Sequence, residues 1–277
     1  MITIVAMFGL ASVRALALLI EFDADASYYA HDAVLPTAFS VGSVIAIVIA
    51  FLFVLLLRRD LGEVTADADS SAVIFSASTL SFVIIGGAFY NIILESIGTG
   101  VLGIASLILA FPAAAYFLLS VALPIRSQSG KVIMAVLMIL WMFANVVSTY
   151  FKGGIEINNP NKSLMLTAMA VVLIYLVSEG RFLLGTERRG LYVFSGLTSL
   201  LLLGLYSLPN AVLIMIRAYP DIIDPMRELT MLALFAYVLI RMCVVSGMIG
   251  DEYDDGEYEN EYEENDGEYD AEPDTLN

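Results

Sequence analysis

Eight long apolar stretches constrain the fold of this 277-residue chain more than any other feature of its sequence. A helix that crosses the hydrocarbon core of a bilayer needs roughly 20 mainly apolar residues. Stretches of about this length occupy residues 1–20, 37–57, 72–94, 101–123, 132–151, 164–185, 191–216 and 229–250. The loops between them are too short to hold a folded soluble domain. The sequence therefore predicts that residues 1–250 form an all-α, polytopic transmembrane helix bundle of about eight spans.

The composition also favours a lipid environment. Hydrophobic residues make up 59% of the chain and charged residues only 15%, whereas a soluble domain is about half apolar and about one quarter charged. The chain has one cysteine, Cys243, and one histidine, His31. An internal disulfide or a typical zinc site needs more of these residues than one of each. We therefore expect no metal and no other cofactor.

Residues 251–277 differ sharply from the rest of the chain. They hold 14 of the 29 acidic residues and none of the 13 lysines and arginines. A low-complexity acidic segment buries too little apolar surface to fold alone, so we predict a disordered acidic tail. Four tyrosines alternate with the acidic groups: Tyr253, Tyr258, Tyr262 and Tyr269. The tail would repel nucleic acid. One hypothesis is that it binds a basic cytoplasmic protein surface through these tyrosines, and the alternative is a solvated tail without a partner.

The distribution of lysine and arginine predicts how the chain is oriented. A cytoplasmic N-terminus places seven basic residues in or beside the cytoplasmic loops and four on the other side. With eight spans, the C-terminus and the acidic tail are then cytoplasmic as well. Residues 24–26 resemble a signal-peptide cleavage site, but Arg14 interrupts the preceding apolar core and no basic segment comes before it. We therefore predict an uncleaved first helix.

Ionisable residues within the spans are candidates for function, because a charge in the bilayer is costly. Four residues qualify: Arg14, Glu95, Glu179 and Arg241. Their positions along the helices give Arg14 and Glu95 similar depths, and likewise Arg241 and Glu179. We predict that each pair forms an interhelical ion pair, which would compensate the charges. Two alternatives remain: the arginines extend to the headgroups, or Glu179 and Arg241 line a substrate path.

Prolines are expected to disturb two of the helices. Pro112 lies in the fourth apolar stretch, and Pro209 lies in the seventh with Asn210 after it. Because proline has no backbone N–H, Pro209 and Asn210 are candidates for an unwound segment that exposes carbonyl groups to a ligand. A simple kink is the alternative. The nucleotide-binding, metalloprotease and serine-hydrolase motifs are absent from the sequence, so we assign no catalytic residue and do not favour an enzyme.

Residues 178–210 resemble a segment of uncharacterised multi-pass membrane proteins from anaerobic Firmicutes. The resemblance covers about an eighth of the chain. It rests on Arg181-Phe182-Leu183-Leu184-Gly185, Leu191-Tyr192 and Ser207-Leu208-Pro209. It implies a bacterial plasma membrane and no particular activity.

Three classes of function stay open at this point. A membrane scaffold or regulatory subunit that binds partners through its acidic tail is narrowly favoured, because helix packing does not explain the tail. A small-molecule transporter or transport accessory would use Arg241, Glu179 and the break at Pro209. An intramembrane enzyme that acts on lipid ranks third, since the sequence offers no catalytic set.

Overall fold

The computed structural model describes residues 2–23, 28–56, 70–94, 101–122, 128–151, 159–183, 189–216 and 225–246. These residues contain eight α-helices, one for each predicted apolar stretch, so the prediction of an all-α bundle is confirmed. The helices are α1 (Ile2–Ile20), α2 (Leu35–Leu56), α3 (Ser71–Leu94), α4 (Val101–Ala122), α5 (Gln128–Phe151), α6 (Pro160–Leu183), α7 (Arg189–Met215) and α8 (Pro225–Val245). A short antiparallel hairpin of β1 (Phe22–Asp23) and β2 (Tyr28–Tyr29) follows α1.

Seven of the described helices, all except α4, are long and apolar enough to cross a membrane. The apolar part of α4, Gly103–Leu119, is shorter. Large apolar side chains point away from the bundle, among them Val44 and Phe53 of α2 and Phe82 of α3, each of which is at least half exposed. Extensive apolar surface of this kind marks a contact with lipid or protein. The chain is thus an integral, multi-pass membrane protein whose helices contact the lipid bilayer.

Six of the described helices form a closed ring. Each helix from α3 to α8 contacts the next one, and α8 contacts α3, which closes the ring. In this order α4 lies opposite α7. The remaining two helices, α1 and α2, contact each other and pack against α7. Because α7 has neighbours on both the ring side and the α1–α2 side, it is the most enclosed of the candidate spans, and 72% of its 18-residue apolar stretch is buried.

Two glycines let neighbouring helices approach α7 closely. A Cβ atom at Gly196 would overlap the side chain of Met242 on α8, and a Cβ atom at Gly204 would overlap Met7 on α1. Small residues commonly bring helices together in membranes, where dispersion contacts replace the hydrophobic effect as the main attraction between helices. Gly196 and Gly204 therefore allow α7 to pack closely against both α8 and α1.

Neither proline ends its helix. α4 continues through Pro112, and α7 continues through Pro209 and Asn210. Of the two alternatives for Pro209 and Asn210, the unwound segment is therefore excluded. The proline still has a local effect, because the carbonyl of Leu205, four residues earlier, cannot receive the usual helical N–H. In a membrane this carbonyl needs another donor, since lipid offers none.

Some predicted features fall outside the described residues. Glu95 and residues 251–277 are among them. The prediction of a disordered tail with its tyrosines Tyr253, Tyr258, Tyr262 and Tyr269, and the proposed pairing of Arg14 with Glu95, stay predictions.

Candidate functional site

Two clusters of buried polar side chains lie along α7. Tyr192 belongs to one cluster and Tyr206 to the other, and their separation of 14 positions corresponds to ~21 Å along the helix. The Arg14 cluster consists of Arg14, Asn161, Tyr206, Asn210 and Glu228. The Arg241 cluster consists of Tyr116, Tyr175, Glu179, Tyr192, Tyr237 and Arg241. All these residues except Asn161 are buried. The two clusters thus place ionisable groups at two depths in the bundle.

The guanidinium group of Arg14 replaces the helical hydrogen bond that Pro209 removes from α7. Its Nη1 donates to the carbonyl of Leu205 at 2.7 Å and to the carbonyl of Tyr206 at 3.1 Å. The first of these carbonyls is the one that Pro209 leaves without a helical donor. The side chain of Arg14 is only 1% exposed, so it does not extend to the headgroups as one alternative assumed. Arg14 instead joins α1 to α7 through the backbone.

The other residues of the Arg14 cluster form hydrogen bonds with its two charged groups, the guanidinium of Arg14 and the carboxylate of Glu228. Nη2 of Arg14 donates to Oδ1 of Asn161 at 2.6 Å, and Nη1 reaches Oδ1 of Asn210 at 3.5 Å. Both carboxylate oxygens of Glu228 accept a hydrogen bond, one from the Tyr206 hydroxyl and one from Nδ2 of Asn210 at 3.2 Å. The charge of Arg14 also attracts the Glu228 carboxylate. The cluster therefore links α1, α6, α7 and α8.

Glu228 was not among the residues selected from the sequence. Glu95 was predicted as the acidic partner of Arg14, and it lies outside the described residues. Within them, the charge of Arg14 acts on the carboxylate of Glu228, in the first turn of α8. Pro225 at the first position of α8 was the available signal, because proline is common there. It would have moved the predicted start of the last span ahead of Glu228.

The hairpin lies against the Arg14 cluster through Tyr29. Burial of its hydroxyl raises the pKa of Tyr29 above the ordinary value, while the charge and the hydrogen bond of Arg14 oppose this rise. Antiparallel pairing of Phe22 with Tyr29 holds the tyrosine in this place, and their rings meet edge to face at 5.4 Å between centroids. The hairpin therefore helps to cover this end of the bundle.

The Arg241 cluster contains the predicted ion pair between Arg241 and Glu179. Nε of Arg241 donates to Oε1 of Glu179 at 3.1 Å, and the two side chains are 2% and 0% exposed. The same oxygen accepts hydrogen bonds from the hydroxyls of Tyr237 at 2.6 Å and Tyr175 at 3.4 Å. The prediction of this pairing is confirmed. In this arrangement Oε1 of Glu179 accepts hydrogen bonds from three donors.

Other polar atoms of this cluster have no hydrogen-bond partner among the described residues. They are Oε2 of Glu179, Nη2 of Arg241 and the hydroxyl oxygen of Tyr116. A complete arginine–carboxylate pair forms two parallel hydrogen bonds, and only one of them is present here. Each buried polar atom without a partner costs about 1–3 kcal/mol, and a charged one costs more. Such atoms are rare unless water or a ligand occupies the space beside them.

The Arg241 cluster faces the interior of the six-helix ring. Its residues come from α4, α6, α7 and α8, and α4 lies opposite α7 in the ring. Tyr116 of α4 interacts electrostatically with Glu179 and Arg241. The ring of Phe117, also on α4, meets that of Tyr237 on α8 edge to face at 5.2 Å. Side chains from opposite sides of the ring therefore meet around the ion pair.

Stacked aromatic rings form one wall of this site. Phe182 stacks on Tyr192 with 4.7 Å between centroids and an interplanar angle of 4°. The ring of Tyr192 also lies 5.6 Å from that of Tyr175, at an angle of 27°. Stacked aromatic side chains have few rotatable bonds and favourable ring contacts, so they hold a defined shape.

The tyrosines of the Arg241 cluster were not among the residues selected from the sequence. A spacing signal was present for two of them. Tyr175 precedes Glu179 by four residues, and Tyr237 precedes Arg241 by four, which places each tyrosine on the same helix face as the charge. For Tyr116 and Tyr192 the linear sequence holds no such signal, since their place in the cluster depends on how the helices are arranged around the ring.

A buried serine lies between the two clusters. Ser199 of α7 is seven residues from Tyr192 and seven from Tyr206, a spacing that keeps all three on one helix face. Its hydroxyl is fully buried and has no hydrogen-bond partner among the described residues. Ser195, by contrast, donates to the carbonyl of Tyr192 at 3.1 Å. The polar groups of α7 thus continue from one cluster towards the other.

Other candidate chemistry is sparse within the described residues. No group of three or more His, Cys, Asp or Glu side chains is arranged there to hold a metal ion. Cys243 is a free, half-buried thiol on α8. Pro112 lies in α4 near Ala114, whose carbonyl accepts a hydrogen bond from Ser81 of α3 at 2.9 Å.

Comparison with models of known protein families found no match, and comparisons with curated proteins and with solved structures also found none. The geometry of the two clusters is therefore the basis for a functional assignment.

Proposed function

We propose that this membrane protein is a small-molecule transporter, or an accessory of one, that binds a small polar solute at the Arg241 cluster. One observation carries the proposal: three buried polar atoms of this cluster, on Glu179, Arg241 and Tyr116, lack hydrogen-bond partners among the described residues. In a cluster that only holds helices together, each buried polar group is expected to have a hydrogen-bond partner within the protein. Buried polar atoms without such partners can instead bind a solute reversibly.

The position of the cluster supports the same proposal. Charged residues inside membrane proteins usually face a bundle interior and often mark the path of an ion or a substrate. The Arg241 cluster lies within a closed ring of helices, and Ser199 continues the polar face of α7 towards the Arg14 cluster. A solute that moves along this face would find hydrogen-bonding groups at about 10 Å intervals.

The experiment that tests the proposal measures whether water-soluble reagents reach Ser199. Cys243, the chain's one native cysteine, is first replaced in the full chain by Cys243→Ala, and Ser199→Cys is then introduced. In proteoliposomes, 2-aminoethyl methanethiosulfonate should modify this thiol at least about tenfold faster than the thiol of Phe82→Cys, because only a hydrated thiol ionises readily. Phe82 is a suitable control, since it is on the outer surface of α3 and 70% exposed.

Equal and very slow modification of both thiols would contradict a solute path along α7. A compact bundle without access would then favour the second candidate function, a membrane scaffold or regulatory subunit. What favours that candidate is the concentration of acidic residues and four tyrosines in residues 251–277. With the orientation that the basic residues favour, this tail would extend from a bacterial plasma membrane into the cytoplasm, where it would meet basic protein surfaces.

A further inference from the structure

We infer that the ligand of the Arg241 cluster is a small uncharged solute that carries a hydrogen-bond donor next to an acceptor, as acetamide and urea do. This inference rests on the proposed function, because it names the class of solute for the same site. Three features of the cluster lead to it: the balance of charge, the types of unpartnered atoms and the packed aromatic rings around them.

The charges around the site already cancel. Among the described residues, the fully charged groups that act on the tyrosines of the cluster are Glu179 and Arg241. These two side chains form one ion pair and are almost completely buried. An anion or a cation would add a buried charge without a counter-charge, and a zwitterion would have to lose the hydration of two charges. An uncharged solute avoids both costs.

The unpartnered atoms differ in the hydrogen bonds that they can form. Nη2 of Arg241 only donates, Oε2 of Glu179 only accepts, and the hydroxyl of Tyr116 does both. The first two atoms belong to groups that are joined through Nε and Oε1 at 3.1 Å. The C=O of a primary carboxamide can accept from Nη2 while its N–H donates to Oε2. The solute would then complete both halves of the open ion pair.

The surrounding side chains restrict the size of the ligand. Tyr175 and Phe117 are fully buried, and Tyr192 and Tyr237 are 1% exposed. Their rings are held in stacked and edge-to-face contacts, so widening the site would break those contacts. Water also offers donors and acceptors, but two hydrogen-bonding groups fixed in one plane match the arginine–carboxylate pair better than a single water molecule does.

The test measures binding of radiolabelled acetamide to the purified full chain in lipid nanodiscs. Unlabelled acetamide and urea should displace the label. Acetate and methylammonium have the same number of heavy atoms as acetamide or fewer, and each should displace the label at least about tenfold less well, because each brings an uncompensated charge into the site. Equal displacement by acetate or methylammonium would overturn the inference, as would the absence of saturable acetamide binding.

Two variants locate the binding. Tyr116→Phe removes only an unpartnered hydroxyl, so the protein should fold, and the dissociation constant for acetamide should rise about fivefold through the loss of one hydrogen bond. Tyr150→Phe makes the same chemical change on an exposed residue of α5 and should leave the constant unchanged. Equal effects of the two substitutions would place the binding elsewhere.

A third variant tests the charge argument itself. Glu179→Gln leaves the charge of Arg241 without a counter-charge, so acetate should become a better competitor than acetamide. If this variant does not fold, the ligand comparison in the native chain and in Tyr116→Phe still decides the question. Access to Ser199→Cys without acetamide binding would contradict the ligand class and leave the transport proposal standing. Acetamide binding without access to Ser199 would support the ligand class and contradict the transport proposal.

Discussion

The Arg14 cluster and the Arg241 cluster share three residue types but differ in how many of their polar atoms have hydrogen-bond partners. Each cluster contains an arginine, a glutamate and at least one tyrosine, from helices that include α6, α7 and α8. In the Arg14 cluster both oxygens of Glu228 accept hydrogen bonds, and both terminal nitrogens of Arg14 donate. In the Arg241 cluster half of the ion pair has no partner among the described residues. The first arrangement serves the fold, and the second suits a ligand.

This contrast shows that a buried charge is by itself a poor guide to function. Both arginines are 1% exposed, so burial does not distinguish them. The hydrogen-bond partners do, because a fully connected polar network rigidifies a structure whereas an incomplete one is costly unless something else completes it. Three substitutions would break or sharpen this distinction.

The largest effect is expected from removing the arginine of the satisfied cluster. Arg14→Met should lower the free energy of unfolding by about 3–5 kcal/mol, because it removes a positive charge that stabilises the buried Glu228 carboxylate and leaves the Leu205 carbonyl without a donor. The measurement is unfolding of the purified chain in mixed micelles. Adding Pro209→Ala to Arg14→Met should recover about 1 kcal/mol, since alanine restores the N–H that the Leu205 carbonyl lacks. An absence of recovery would contradict the assigned role of Arg14 at Pro209.

A smaller effect is expected from Glu179→Gln in the Arg241 cluster. Glutamine keeps an oxygen that can accept from Tyr237, and one half of the ion pair is already open, so the free energy of unfolding should fall by about 2–3 kcal/mol. The same unfolding assay applies. A loss as large as that of Arg14→Met would show that the Arg241 cluster is as important to the fold as the Arg14 cluster, and the distinction between them would fail.

The smallest effects come from a matched pair of tyrosine substitutions. Tyr206→Phe removes the hydroxyl that donates to Glu228 and should cost about 1–2 kcal/mol. Tyr116→Phe removes a hydroxyl that has no partner among the described residues, so without added solute it should be neutral or stabilise the chain by up to about 1 kcal/mol. Thermal unfolding of both variants in the same detergent checks the sign. Equal losses for the two would show that Tyr116 is bonded in the unliganded protein.

The sequence was sufficient to predict the helices and one of the ion pairs. The helices follow from the length of the apolar stretches, which the thickness of the bilayer sets. The pairing of Glu179 with Arg241 follows from depth alone, since each residue adds a constant rise along a helix. Depth does not say which helices are neighbours or which way their faces point. The place of Tyr116 opposite α7 could therefore not be predicted.

The effect of Pro209 on α7 could not be decided from the sequence for a related reason. A proline removes one helical hydrogen bond, and this much is evident from the sequence. Whether the helix then unwinds depends on whether a neighbour supplies another donor. Here the donor is Arg14, which is separated from Leu205 by 191 positions in the chain. A contact between residues so far apart has no local signature, so unwinding and repair were indistinguishable without the structure.

The separation between Arg14 and Leu205 also has a consequence for biosynthesis. Ribosomes add about 5–20 residues per second, so α1 is complete roughly 10–40 s before the carbonyl groups that hold its guanidinium have been translated. During this interval the arginine carries a cost of about 2.5–3.5 kcal/mol if it enters the membrane interior alone. The first helix is therefore expected to stay near the insertion machinery, or to remain shallow in the lipid, until the seventh helix emerges and captures it.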